Sequence, residues 1–364
     1  MRIIRALPAL FAAVLFSCIS PPEDTTSPDT TGQEVGELRQ DNAGISATIS
    51  AARATFAATD PVSVTLTITN SGRSTLQMLR WQGPSAQLEE PLFAVSREGK
   101  AIQYLGAHYK RPPPTEEDLL SISPGQSASQ EISLSNLYDF STTGSYSIRY
   151  EMKVSVSTGG AQKSGTLRSN ELTFQIQGRA NLPLEPAPDD VTTQGITGYN
   201  RCDATQQSLL VQATSQATTY ATGALNYLNG PSSATPRYTT WFGTYSAGNW
   251  SQVRNQFASI QDAFVTKGIF YDCKCKQNYY AYVYPTQPYN IYLCKVFWQA
   301  PMSGTDSKGG TLVHEMSHFN VTAGTDDWAY GQSAAKSLAI SNPTNARNNA
   351  DSHEYFAENT PFQN

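Results

Sequence analysis

Between His314 and His318 the chain reads His-Glu-Met-Ser-His, and this pentapeptide constrains the fold more than any other feature. Residues four apart share one face of an α-helix, so the two imidazoles can serve one metal ion if the stretch is helical. Glu315 then stands beside the metal without ligating it, placed to take a proton from the attacking water, as an H-E-x-x-H zinc hydrolase requires. Gly309 and Gly310 precede the stretch, and Leu312, Val313 and Phe319 give it apolar faces. With only four histidines in the chain, chance is a poor account of this spacing.

A catalytic zinc site needs a third protein ligand and one open position. The extended pattern H-E-x-x-H-x-x-G-x-x-H fails here, because Val321 stands at the glycine and Gly324 at the third histidine. From Gly324 onward the chain instead reads Gly324-Thr325-Asp326-Asp327-Trp328-Ala329-Tyr330-Gly331. This resembles the G-T-x-D-x-x-Y-G signature of the deuterolysin-like zinc peptidases, called aspzincins because an aspartate is the third ligand. The resemblance implies one catalytic Zn2+ held by His314, His318 and Asp327. It also implies that the Tyr330 phenol donates to the substrate carbonyl oxygen as charge develops there. Taken without the resemblance, Asp327 reads as an N-cap, since a helix is expected to begin there, and Tyr330 as a packing residue. Glu354 and Glu358 are alternative third ligands, but neither lies in a recognisable glutamate-zincin motif.

The resemblance runs from about Thr197 to the C-terminus and is closest to the peptidyl-Lys metalloendopeptidases. The segments Thr235-Pro236-Arg237-Tyr238-Thr239-Thr240-Trp241-Phe242-Gly243, Ala281-Tyr282-Val283-Tyr284-Pro285 and Gly310-Thr311-Leu312-Val313-His314-Glu315 carry it. In the lysine-specific members an aspartate and a glutamate at the base of the S1′ pocket receive the ammonium of the residue after the scissile bond. The matching positions are Asp351 and Glu354, three apart and on one face of an expected helix. Their bland reading is a solvated helix face or a cap. The implied activity is an endopeptidase cutting on the N-terminal side of lysine; a general deuterolysin with broader P1′ choice is the alternative.

At the N-terminus, Arg2 and Arg5 precede an apolar run from Ala6 to Phe16, as in a secretory signal peptide spanning residues 1–18. The run is too short for a membrane-spanning helix, which needs roughly 20 apolar residues. Leu15-Phe16-Ser17-Cys18 resembles the lipobox of bacterial lipoproteins, with Cys18 the acylated residue; an ordinary signal peptide containing a cysteine is the other reading. Export is expected, with the precursor tethered to a membrane if Cys18 carries lipid. Cys202, Cys273, Cys275 and Cys294 remain, an even number suited to an oxidising compartment. A Cys273–Cys275 bond would strain so short a ring, so Cys202 pairs with one of that pair and Cys294 with the other. A bridge closing the long loop from Cys202 contributes about 4 kcal/mol in the chain-entropy model. The family resemblance implies Cys202–Cys273 and Cys275–Cys294.

The rest of the chain divides by composition. Residues 19–44 are rich in Pro, Thr, Asp and Gly and read as a disordered tether. Val62, Val64, Leu66 and Ile68 alternate with polar residues, as do Tyr146, Ile148 and Tyr150, then Leu172, Phe174 and Ile176, with a turn at Ser123 to Gln126. An all-β, Ig-like antiparallel sandwich is therefore expected over residues 45–177. Residues 178–198 read as a linker holding the processing site, followed by an α-rich α+β, zincin-like metalloprotease domain over 199–364. Helices are expected at Leu209 to Leu228 and Trp250 to Phe264, and a small sheet at Tyr279 to Tyr284 and Asn290 to Val296.

The formal charge of −5, from 25 basic and 30 acidic residues, gives no basic excess for a nucleic-acid partner. The expected partners are protein or peptide substrates of a monomeric enzyme, with the chain's own N-terminal domain as intramolecular inhibitor. A carboxylate from one of its loops, such as Glu116, Glu117, Asp118 or Asp139, is a candidate to replace the zinc-bound water in that inhibited state, and the sequence does not choose among them. Two rivals make the sandwich a retained binding module, or the whole chain a non-catalytic surface lipoprotein. The linker contains Arg179 and, from Gly178 to Tyr199, no lysine, so a strictly lysine-directed enzyme could not cut it.

Overall fold

The computed structural model describes residues 36–37, 44–158, 161–179 and 195–364. Cys18, the signal segment and most of the expected tether and linker lie outside the described residues. From Gly36 to Ile176 the alternating sequence produces strands: β1 (Gly36–Glu37), β2 (Ile45–Ser50), β3 (Thr55–Phe56), β4 (Ser63–Asn70), β5 (Leu76–Leu79), β6 (Phe93–Arg97), β7 (Lys100–Ala101), β8 (His108–Lys110), β9 (Leu119–Ile122), β10 (Ser127–Ser133), β11 (Gly144–Thr158) and β12 (Ala161–Ile176). Strands β10, β4 and β2 form one antiparallel sheet. The long β11–β12 hairpin organises the other, which also takes in β1, β3, β5, β6, β7 and β9. Inward residues of both sheets, among them Val64, Leu66, Ile68, Ile132, Tyr146, Ile148, Tyr150 and Phe174, make one hydrophobic core.

The remaining elements are β13 (Gly195–Asn200), α1 (Ala204–Leu228), α2 (Pro236–Phe242), α3 (Ala247–Thr266), β14 (Gly268–Asp272), β15 (Ala281–Val283), β16 (Asn290–Leu293), α4 (Lys295–Gln299), α5 (Lys308–His318), α6 (Gln332–Ser341), α7 (Pro343–Ala346) and α8 (Ala350–Glu358). The end of the expected linker, Gly195 to Gly198, is thus part of β13. Asp203 opens α1 with a capping box completed by Gln206. Leu210, Ala213, Ala217, Ala221, Ala224 and Leu228 then make a buried stripe of mostly small side chains, which lets α5 and α3 come close. No helix among the described residues is long and apolar enough to cross a membrane.

Strands β13, β14 and β16 run parallel, β15 pairs antiparallel with β16, and the outer strand of this five-stranded sheet is β8, from the N-terminal part. The pairing of β8 with β15 is antiparallel, with Lys110 opposite Ala281, Tyr109 opposite Tyr282 and His108 opposite Val283. Two disulfides, Cys202–Cys273 and Cys275–Cys294, tie the sheet to the chain before α1 and α4, in the pairing the resemblance implied.

Candidate active site

Helix α5 carries the pentapeptide, and all eleven of its residues are buried. Ser307 caps it by accepting from the Gly310 amide, while the Glu358 carboxylate accepts from the Ser307 amide at 2.9 Å and its hydroxyl at 2.7 Å. A side chain at Gly310 would meet that carboxylate, and one at Gly309 would meet Gln216 of α1, which explains the glycine pair. After His318 the chain turns at Gly324 (φ 59°) and runs back along the helix, where the Thr325 amide donates to Ser317 O at 3.1 Å. This return brings Asp327 under both histidines. Its Oδ1 lies 3.2 Å from His314 Nε2, and its Oδ2 lies 3.5 Å from His318 Nε2.

Asp327 is not an N-cap. Asp326 forms a backbone bridge with Asn349, and Gly331 (φ 83°) delays the helix, so α6 begins only at Gln332.

A zinc ion fits this donor set. Ligands at about 2.1 Å from a tetrahedral metal stand about 3.4 Å apart, close to the observed separations. His314 Nε2, His318 Nε2 and both Asp327 oxygens are buried without a hydrogen-bond partner, a costly arrangement unless a cation satisfies them. Of the opposite ring nitrogens, His318 Nδ1 hydrogen-bonds Thr325 O at 2.8 Å, the kind of contact that orients a metal-ligating histidine, while His314 Nδ1 lies 2.8 Å from Asp351 Oδ1 as an ion-pair contact. Glu315 is fully buried beside them, and burial raises its carboxyl well above the usual carboxylate range.

Helix α8 presents Asp351 and Glu354 on one face, toward α5. Asp351 also accepts from the Gly331 amide. Between the two carboxylates lies Lys110, the last residue of β8 and 1% exposed. Its Nζ is 2.6 Å from Glu354 Oε2, 3.4 Å from Asp306 Oδ1 and 3.6 Å from Asp351 Oδ1. The rings of Tyr280 and Tyr355 flank it at 4.9 and 5.8 Å. Burial opposes the ammonium charge, but Glu354, Asp351 and Asp306 outweigh it and hold the lysine protonated. The same sharing splits the acids: burial keeps the Glu354 carboxyl raised, whereas Lys110 and His314 overcome burial at Asp351 and lower it.

His108, two residues earlier, packs its ring 4.8 Å from that of His318. Burial, then His318, lowers its pKa to about 3, so it enters as neutral imidazole. Arg111, next to Lys110, lies over Trp81 and Tyr279 at 4.5 and 4.7 Å and pairs with Glu89 and Glu90 at 3.1 and 3.4 Å. Glu90 in turn accepts the Tyr330 hydroxyl proton at 2.6 Å. Glu116, Glu117, Asp118 and Asp139 play no such part: the first two are exposed, Asp118 caps its own turn through Thr115, and Asp139 accepts from the Ser141 amide.

Sequence reasoning thus named His314, Glu315, His318, Asp327, Tyr330, Asp351 and Glu354, and the structure brings all seven into one cluster of side chains. It missed His108, Lys110 and Glu90. A lysine flanked by His108-Tyr109 and Arg111 was the available signal, but nothing separated it from Lys100 in the same half.

Residues 227–358 match the aspzincin family described as lysine-specific metallo-endopeptidase. An extracellular protease of Aeromonas hydrophila is 44% identical over 313 residues, covering 84% of this chain and 90% of its own. The chain belongs to the aspzincin family. A peptidyl-Lys metalloendopeptidase of Armillaria mellea is 37% identical over 83% of this chain and 88% of its own. A solved zinc peptidase from Grifola frondosa shares 48% identity over 45% of this chain and 100% of its own, with a TM-score of 0.44. This aspzincin is accordingly a zinc metalloendopeptidase, a hydrolase of peptide bonds.

Proposed function

We propose that the chain is the autoinhibited precursor of a secreted endopeptidase that cuts on the N-terminal side of lysine. The observation that carries this reading is the seating of Lys110 between Glu354 and Asp351, beside the three candidate metal ligands. A compact ammonium with three donors suits this carboxylate-lined, aromatic-walled pocket, whereas a planar guanidinium would need a wider fork.

In the active form His314, His318 and Asp327 hold the zinc, which supplies Lewis-acid polarisation of the substrate carbonyl and activates water. Glu315 takes a proton from the attacking water and delivers it to the leaving amine. Tyr330 donates to the carbonyl oxygen as it gains charge. Asp351 serves twice, orienting His314 through Nδ1 and receiving the substrate ammonium with Glu354. The Ig-like sandwich of residues 45–177 acts as the propeptide, holding Tyr330 away from substrate through Glu90. Release comes with cutting of the linker within residues 178–198, which frees the catalytic part from residue 199 onward and any lipid tether at Cys18.

The test is a cleavage map of a denatured protein by the processed enzyme, with and without a zinc chelator, alongside Glu315→Ala, Asp351→Asn and Glu354→Gln. Chelator-sensitive cuts before lysine are expected, absent in Glu315→Ala and less lysine-selective in the other two. Cuts with no lysine preference in the wild type would replace this reading by a broad deuterolysin-type peptidase.

A further inference from the structure

Side chains two apart on a strand point to the same face and stand about 6.7 Å apart. On β8 those residues are His108 and Lys110, while Tyr109 turns the other way to pack on Tyr282 and Tyr279 at 5.2 and 5.1 Å. One face of this strand therefore presents an imidazole to the metal ligands and an ammonium to the carboxylate pocket. The ligating atoms of His108, His318 and Asp327 all lie within 4.8 Å of one another, and all three residues are buried. His108 Nδ1 is 3.9 Å from Asp326, too long for a hydrogen bond. Of the four histidines, three meet here; the fourth, His353, sits in the core between Phe242 and Phe257 and binds Asn349 O and Gln256.

The strand also lies as an extended peptide would. It adds antiparallel to β15, and the Tyr280 amide donates to Lys110 O at 2.9 Å. If lysine occupies the position just after the bond that is cut, the bond presented to the metal is Tyr109–Lys110.

We propose that in the precursor His108 is the fourth protein ligand of the zinc, filling the position a hydrolytic site keeps open, so that Tyr109–Lys110 is a bound but uncut lysine substrate. This rests on the lysine-directed reading above. Four protein ligands make a closed, structural type of site, whereas three leave it catalytic. The precursor is then silent chiefly for lack of an entry point for water at the metal, with Tyr330 tied to Glu90 as a second restraint, even though a scissile bond is in place. Removing the imidazole opens that position. Water then adds across the Tyr109–Lys110 amide, giving a Tyr109 carboxylate and a Lys110 amine, with no other reactant.

The test uses the full chain loaded with Co2+ in a Glu315→Ala background, with His108 intact, His108→Ala or the size-conserving His108→Gln. Visible spectra are recorded with and without azide, which binds only where a position is open. With His108 present, no azide response is expected; both His108 variants should respond and hold the metal at least about tenfold more weakly. An azide response with His108 intact overturns the fourth-ligand assignment. Intact mass of His108→Ala and His108→Gln with Glu315 restored should show a new chain beginning at Lys110. An intact Tyr109–Lys110 bond in variants whose metal has become azide-responsive overturns the bound-substrate part. Failure of lysine specificity itself would appear separately, in the processed wild-type enzyme, and leaves the spectra unaffected.

Discussion

Replacing Lys110 by alanine should wake the uncut precursor. The lysine is 1% exposed and faces three carboxylates within 3.6 Å, so its removal leaves acidic groups buried without their cation. Removing one partner of a buried ion pair costs about 3–5 kcal/mol. Two features place this case near the lower bound. Glu354 already holds a raised pKa and can take up a proton, and the strand keeps its bonds to β15 and its Arg111 contacts. About 3 kcal/mol at about 1.4 kcal/mol per tenfold is a hundredfold shift in the docking equilibrium of β8. While the closed form still dominates, the open fraction rises by that factor. The assay is hydrolysis of a short fluorogenic lysine peptide by precursor whose intact mass is verified before and after. A rise of about a hundredfold over wild type is expected, with Lys110→Arg falling between the two. Equal latency in wild type and Lys110→Ala would refute the reasoning, because the pocket ion pairs would then hold nothing in place.

The same geometry sets three further outcomes. Tyr330→Phe in the processed enzyme should lower kcat about 10²–10³-fold with little change in KM, as loss of one oxyanion donor does; a change confined to KM would make Tyr330 a binding residue only. Gly310→Ala pushes a methyl group into the Glu358 carboxylate that caps α5, so the denaturant midpoint should fall by the equivalent of about 1–3 kcal/mol, and an unchanged midpoint would contradict the close approach. Because the linker holds Arg179 and no lysine, release should need a second protease or some tolerance for arginine; self-maturation of purified wild-type precursor at a non-basic linker site, absent in Glu315→Ala, would contradict both.

Local chemistry in the sequence reached far into the catalytic part. The i, i+4 histidines required a helix, and α5 is that helix because its glycine pair lets it lie against α1 and α8. Asp351 and Glu354 were legible as one helical face. Asp327 was legible only through resemblance, since its place under the histidines depends on the turn at Gly324 and the bridge from Asp326 to Asn349. Alternation at Val64, Leu66 and Ile68 announced β4, but it could not say that a three-residue segment, β8, would leave its own sheets and join another. Such pairing is decided by contacts more than 170 residues apart in sequence, between Lys110 and Ala281, and no local period records it. For the same reason the sequence points to loop carboxylates as candidate inhibitory groups, whereas the structure brings the imidazole and ammonium of β8 beside the candidate ligands.

If β8 is released as proposed, its position at the end of a five-stranded sheet also bears on what a lysine-directed enzyme can attack. When that strand departs, β15 becomes a bare sheet edge, its amides and carbonyls waiting for a neighbour. A chain that is to replace β8 must surrender several residues to an extended form, and a lysine held within a native helix cannot do so without local unraveling. Susceptibility should therefore track the looseness of the backbone around each lysine rather than the number of lysines on a surface. On that reading, denatured proteins and unstructured tails should be cut faster than compact folded ones.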